Sequence, residues 1–336
     1  FGKSLLLSTL EAYFTGKKEL FKGLAIEKLE KDWYEYPVLH LDLNAERYYN
    51  IGELTNLLQT YMRQWEEIYG AKEANNSSLS QRFRAIIRSA KEKTGRNVVV
   101  LIDEYDKPIL QAIGNEPLQQ EFRDTLKAFY GVLKSADADL KFALLTGVSK
   151  FGKVSVFSDL NNLRDLSMLE QYTEICGISE KELHQYFKDD IQKMADMNGT
   201  NYEDVSERLR ENYDGYHFAP NTEGMYNPFS LLNVFANRKF DNYWFETGTP
   251  TYLVELLKKN DYALEEIDNT IVGMETLSGI DAADTDPIPV IYQGGYLTIK
   301  EFNPRFQSYT LGYPNKEVEE GFTKFLLPHY TASRGT

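Results

Sequence analysis

The order of apolar and polar positions along the chain alternates between two periods. Residues 4–14 form an apolar helical run directly after Gly2-Lys3. Residues 37–43 alternate apolar and polar and stop at Asn44, which predicts a strand. Leu54, Leu57, Leu58, Tyr61 and Trp65 have helical spacing from Ile51 to about Ile68, the small polar stretch Gly70–Ser80 reads as a loop, and residues 81–93 resume as a helix ended by Gly95. Val98–Ile102 is an unbroken apolar run, the habit of a parallel strand buried on both faces. A helix over about Leu118–Ser135 and a second buried strand over 140–147 follow.

Strands alternating with helices predict an α/β domain with a mostly parallel sheet over residues 1–175. The texture then changes. Residues 178–213 predict two short amphipathic helices, the first opened by the capping-box pair Ser179 and Glu182, with further helices near 228–237 and 250–259. Residues 176–285 therefore read as a helical lid domain. Ile291-Tyr292, Tyr296–Ile299 and Tyr309–Leu311 predict short strands before a helix at 317–327. Residues 286–336 read as a small β-containing unit, winged-helix-like being one arrangement.

Composition narrows the class. The chain has 336 residues, 42% hydrophobic and 26% charged, which suits more than one buried core. A formal net charge of −14 opposes broad attraction to nucleic acid or anionic membrane, although it leaves a local basic patch open. No run of about 18 apolar residues is present to span a bilayer. The single cysteine, Cys176, reads as a small hydrophobe, and the chain opens on a phosphate-loop fragment rather than a secretory leader, so a cytoplasmic protein is expected.

Candidate chemistry begins at Gly2-Lys3-Ser4. A phosphate loop works because backbone N–H groups at a helix N-terminus point into one concavity, a lysine reaches the β- and γ-phosphates, and a hydroxyl ligates magnesium. Gly2, Lys3, Ser4 and Leu5 are the nucleotide-binding candidates. A magnesium–phosphate site also needs a carboxylate at the end of a neighbouring buried strand, and Asp103-Glu104 follows the 98–102 run. Ser4 and Asp103 are the Mg2+ candidates, and Glu104 is the catalytic candidate, polarising the attacking water beside Lys3. Alone, Asp103-Glu104 is equally a strand-ending turn with Asp106 and Pro108; jointly with the lysine loop the nucleotide reading is preferred. Thr146 and Ser149 follow the next buried run, where polar side chains would face the γ-phosphate as sensors, unless they belong only to a turn built on Gly147.

The strings Phe1–Leu10, Leu101–Ile109 with its Asp-Glu-Tyr-Asp-Lys-Pro core, Leu145–Phe151, Phe157–Leu163, Tyr213–Phe218 and Tyr243–Pro250 resemble, in order and over nearly the whole chain, the bacterial AAA-ATPase-like family, which is similar to the STAND and archaeal-type P-loop ATPases. The resemblance implies ATP with Mg2+ as cofactors and slow hydrolysis that switches an attached or partner effector. It also implies a PD-(D/E)XK nuclease-like domain beyond the region matching 290–330. No such signature occurs in this chain, and the first strand of the phosphate-loop domain is expected before Phe1. A second reading keeps the fold as a non-hydrolysing scaffold that binds a protein partner or DNA.

Overall fold

In the computed structural model of the protein, residues 1–72, 77–148, 156–157, 160–246, 253, 256–257, 267–278 and 286–331 are described. Ser149 and most of the helix expected at 250–259 lie outside them. The chain divides into two compact units, one built on Lys3–Arg164, the other on Phe1–Gly2, Asp165–Gly279 and Ala283–Thr336.

The first unit is α/β. Its strands β1 (Val38–Asp42), β2 (Val98–Asp103) and β3 (Leu140–Leu145) pair in parallel in the order β1-β2-β3, with Asp42 opposite Asp103 and Ile102 opposite Leu145. All six residues of β2 are buried, as its unbroken apolar run predicts, and β1 shows the expected alternation. Residues 140–147 were expected to be buried on both faces. In the described residues the strand is half-exposed, with Phe142 36% accessible, and it pairs only with β2.

Helix α1 (Lys3–Phe14) lays Leu7 and Phe14, with Leu10 alongside, against Val99 and Leu101 of β2. This i, i+3, i+7 stripe turns the helix so that its first turn belongs to the same unit as the carboxyl ends of the strands. His40 Nδ1 lies 2.8 Å from Glu11 Oε2 and ties α1 to β1. A short helix, α2 (Ala25–Leu29), precedes β1 and escaped the sequence pattern.

The crossover from β1 to β2 is made by α3 (Ile51–Tyr69) and α4 (Leu79–Thr94), each opened by a capping box (Asn50 with Glu53, Ser78 with Gln81) and closed by a left-handed glycine, Gly70 or Gly95. Arg82 holds Glu66 in a two-bond fork at 2.7 and 2.8 Å. The crossover from β2 to β3 runs through α5 (Lys107–Gln111), α6 (Glu116–Tyr130) and α7 (Val132–Ser135). The single helix expected over 118–135 is interrupted at Gly131, and α5 occupies what read as a turn, Pro108 taking the first helical turn where its missing N–H costs nothing. Phe83 stacks on Phe129 with ring centroids 4.5 Å apart, joining α4 to α6.

The second unit carries β4 (Ile178–Ser179), paired antiparallel with β5 (Met225–Tyr226), and α8 (Glu180–Tyr186), α9 (Lys188–Asn198) and α10 (Tyr202–Tyr213). Three helices stand where two were expected. Gly199, in the left-handed region at φ +65°, ends α9, and the Asn201 side chain accepts from the Asp204 N–H to open α10. The Ser179–Glu182 capping box forms as its spacing predicts. These helices and α11 (Pro228–Asn237) share a core of Leu183, Ile191, Met194, Leu209, Leu231 and Val234. The helix α12 (Tyr243–Glu246) comes next in the chain.

Residues further on form β6 (Thr270–Gly273), α13 (Met274–Ser278), α14 (Ile288–Gln293), β7 (Thr298–Asn303), β8 (Ser308–Gly312) and α15 (Lys316–Thr331), with an antiparallel sheet ordered β6-β8-β7. Ile291-Tyr292, expected as a strand, lies in α14. Pro289 sits in the first turn of this helix, where its fixed φ suits helix entry and its missing N–H breaks no intrahelical bond. His217 has a packed role, its N–H donating to Thr298 Oγ1 and its ring pairing with the Thr222 carbonyl.

Glu317, on the first turn of α15, is 1% exposed; its carboxylate accepts from the Trp244 N–H at 2.9 Å and from Ser230 Oγ at 2.7 Å. Burial pushes its carboxyl up to about 7, hydrogen bonds from the Trp244 N–H, the Ser230 hydroxyl and the Tyr243 N–H only partly opposing the rise. Below about pH 4.5 the group is neutral in both folded and unfolded chains and costs nothing. Between about 4.5 and 7 the unfolded chain ionises first, so stability falls as pH rises; above 7 the cost is constant at about 3 kcal/mol. Glu317→Gln keeps an acceptor for Trp244 and removes the titration. Urea denaturation from pH 4.5 to 8 is expected to show the variant gaining on the parent by about 3 kcal/mol over that interval; parallel profiles would refute the assignment.

Candidate functional site

The carboxyl ends of parallel strands are where open α/β sheets place their ligands, because the loops there diverge and helix N-termini point back at them. At this edge β2 ends in Asp103, which is 5% exposed, and β3 is followed by Thr146, which is 8% exposed. The Thr146 hydroxyl donates to Asp103 Oδ1 at 2.5 Å, and the Glu104 N–H donates to the same oxygen at 3.0 Å. Two donors on one carboxylate oxygen fix the orientation of Asp103. Thr146 and Asp103, two of the residues singled out from sequence, therefore touch.

Glu104 follows in the left-handed region at φ +53°, unusual for a residue with a side chain. Holding it there costs on the order of 1–3 kcal/mol, which the surrounding structure has to sustain. Its half-buried carboxyl is pushed up to about 7. Desolvation is the main cause and the Asp106 and Asp103 charges add to it, while the Lys3 ammonium is the first of the influences opposing the rise. Lys3 and Glu104 thus share an electrostatic environment although 100 residues separate them in the chain.

Lys3 is half-buried at the start of α1; Ser4 and Leu5 are exposed on the same turn, Leu5 by 70%. The preceding residue, Gly2, takes φ +77°, a conformation that glycine adopts without strain. No acidic residue lies in the first turn of α1, so the positive end of its dipole is not neutralised by its own side chains. Ser149, the remaining sensor candidate, is outside the described residues.

Three residues not assigned from sequence belong to this edge. Asp106 is fully buried, and its Oδ1 accepts the Val148 N–H at 3.1 Å. Lys107 Nζ donates to the backbone and side-chain oxygens of Asn44, at 2.8 and 2.7 Å, just past the end of β1. Gly147 packs against Asp106: a Cβ added there would lie 2.4 Å from Asp106 Oδ1 and 2.7 Å from Tyr105 Cε1. The only advance signal was the clustering of charge in Asp-Glu-Tyr-Asp-Lys, since partners some 40 to 60 residues away are invisible to local pattern. Gly147→Ala is expected to destabilise the protein by about 1–3 kcal/mol in urea denaturation, by overpacking against a buried carboxylate that has no room to retreat. A loss below about 0.5 kcal/mol would show that the turn yields freely.

The donors at this edge are a hydroxyl and a carboxylate, hard oxygen ligands of the kind magnesium takes together with water and phosphate oxygens. Among the described residues no cluster of three His, Cys, Asp or Glu side chains is placed to hold a metal by itself. A cavity of about 220 Å³, lined by residues including Tyr13, Glu30, Tyr36 and Lys141, lies at the opposite, amino end of the strands. The rings there are already engaged by the chain's own cations, Arg96 over Tyr34 at 4.1 Å and Lys141 over Tyr36 at 5.5 Å, so the cavity has no part in the acid-pair chemistry.

Residues 1–157 match the family described as AAA-ATPase-like, "Predicted AAA-ATPase". The chain is also 36% identical over 336 residues to a protein of Azotobacter chroococcum mcd 1 named "Uncharacterized protein in vnfD 5'region". The match takes in 98% of this chain and 62% of that protein, so the chain spans less than two thirds of its relative's length. Among the described residues no helix is long and apolar enough to cross a membrane.

Proposed function

We propose, because residues 1–157 of this chain match the AAA-ATPase-like family, whose likeness points to nucleotide binding, that it binds ATP with Mg2+ at the carboxyl edge of the β1-β2-β3 sheet and hydrolyses it slowly. Lys3 neutralises the β- and γ-phosphates, and the backbone of Gly2, Lys3, Ser4 and Leu5 lines the phosphate cradle. Ser4 and Asp103 would hold the magnesium, which when bound would supply positive charge against the charge that develops on the phosphates. Glu104 takes the proton of the attacking water. A base with a carboxyl raised to about 7 is tuned for this task near neutral pH. Thr146, bonded to Asp103, senses the γ-phosphate, and Ser149 is its companion in the same role.

The observation that carries this reading is the meeting of Asp103, Glu104 and Thr146 at the carboxyl ends of β2 and β3, with the Lys3 ammonium opposing the rise of the Glu104 carboxyl. A lysine at a helix start and an acid at a strand end have no packing reason to share an environment; a phosphate–magnesium site gives one. The nucleotide state would reposition residues 176–285 as a lid and, through the 286–336 unit, an attached or partner effector such as a PD-(D/E)XK nuclease-like domain. Calorimetric titration of Mg·ATP into the protein tests the reading. Saturable binding of one nucleotide supports it, and absence of binding up to millimolar ATP would overturn it in favour of a scaffold that uses the fold to hold a protein or DNA.

A further inference from the structure

The Asp103–Lys107 turn is bonded to both neighbouring strand ends. Toward β3, the Thr146 N–H donates to the Ile102 carbonyl at 2.9 Å, the Tyr105 N–H to the Thr146 carbonyl at 2.9 Å, the Thr146 hydroxyl to Asp103, and the Val148 N–H to Asp106. Toward β1, the Lys107 ammonium spans two oxygens of Asn44. Within the turn, the Lys107 N–H closes onto the Glu104 carbonyl at 3.0 Å. Glu104 sits in the middle of these bonds in a backbone conformation that it would not keep unaided.

We propose that Asp106 and Lys107 are positioning residues: they clamp the Glu104 turn between the ends of β1 and β3, so that the Glu104 and Thr146 segments open and shift as one body. The inference rests on the reading of Glu104 as the residue that activates water, and it adds how that residue is aimed and how the third strand reports to it. A buried carboxylate suits this role. Asp106 itself has no exposure to water, and Gly147 leaves no gap through which its carboxylate could swing away. The ladder bonds alone join the strands, but they stop at Tyr105. Past that point Asp106 is the side chain that fastens the far half of the turn to the loop after β3, and Lys107 fastens it to the loop after β1.

The test combines amide hydrogen exchange with steady-state ATP hydrolysis on the intact protein. In Asp106→Ala the amides of Tyr105, Lys107 and Thr146 are expected to lose protection together with Val148, by at least about tenfold, the Val148 N–H having lost its carboxylate acceptor. Displacing the base lowers kcat by about 10- to 100-fold, with ATP affinity unchanged within about threefold. Asp106→Asn retains an oxygen for the Val148 N–H and is expected to restore both readouts. Lys107→Met keeps the aliphatic stem and loses the Asn44 bonds; it is expected to loosen the 104–107 turn and lower kcat in the same sense, which keeps the proposal falsifiable should Asp106→Ala fail to fold. Loss of protection at Val148 alone, or joint loosening without any fall in kcat, would overturn the proposal. If the parent protein neither binds nor hydrolyses ATP, the functional reading falls in that control, and the exchange data alone decide whether the two segments move together.

Discussion

Replacing Lys3 with alanine is expected to weaken Mg·ATP binding by about 30- to 1,000-fold, because removing one member of a desolvated, hydrogen-bonded charge pair costs about 2–4 kcal/mol. The phosphates of ATP carry the charge that this ammonium would meet, and the first turn of α1 holds no acid to satisfy it instead. The fold should survive. Lys3 is only half-buried, and the packing of α1 on β2 rests on Leu7 and Phe14 one face away. The unfolding free energy of the variant in urea denaturation should therefore change by less than about 0.5 kcal/mol. Loss of affinity below threefold in calorimetry would mean that the lysine does not reach the nucleotide.

Glu104→Gln should separate chemistry from binding. Removing a general base lowers kcat by about 100- to 10,000-fold, whereas ATP affinity should stay within about threefold because phosphate contacts and magnesium ligation lie elsewhere. The pH dependence supplies a second signature. In the parent protein kcat/KM is expected to rise through about pH 7, following ionisation of the free enzyme's carboxyl, and the profile of the variant's residual activity should be flat across that interval. Equal falls in kcat and affinity would assign Glu104 to binding rather than to water activation.

The parts of this site that depend on local periodicity were readable in advance, and the parts that depend on distant partners were not. Burial of β2 on both faces demands an unbroken apolar run, and the stripe Leu7, Leu10, Phe14 demands a helix, so both elements and the ends that carry Lys3 and Asp103 could be located from residue order. An apolar run does not report how many neighbours a strand has; among the described residues β3 pairs only with β2 and is half-exposed. At Ile291-Tyr292 two apolar residues are too few to define a period, and the signal in Pro289 was outweighed. The buried Asp106 stood in view within the acidic string, yet its role follows from contact with Gly147 and Val148, some 40 residues away. The left-handed backbone of Glu104 has no sequence signature, since it is imposed by its surroundings rather than by its own preference.

The central claim is that Lys3 and the acid pair closing β2 act on one another at a single place. Site-specific 13C-carboxyl NMR of Glu104, titrated from pH 4 to 10 in the parent protein and in Lys3→Ala, measures this directly. The account predicts a midpoint near 7 in the parent and a clearly higher one in the variant, because the cation that stabilises the ionised carboxyl has gone. Identical midpoints in the two proteins would contradict it.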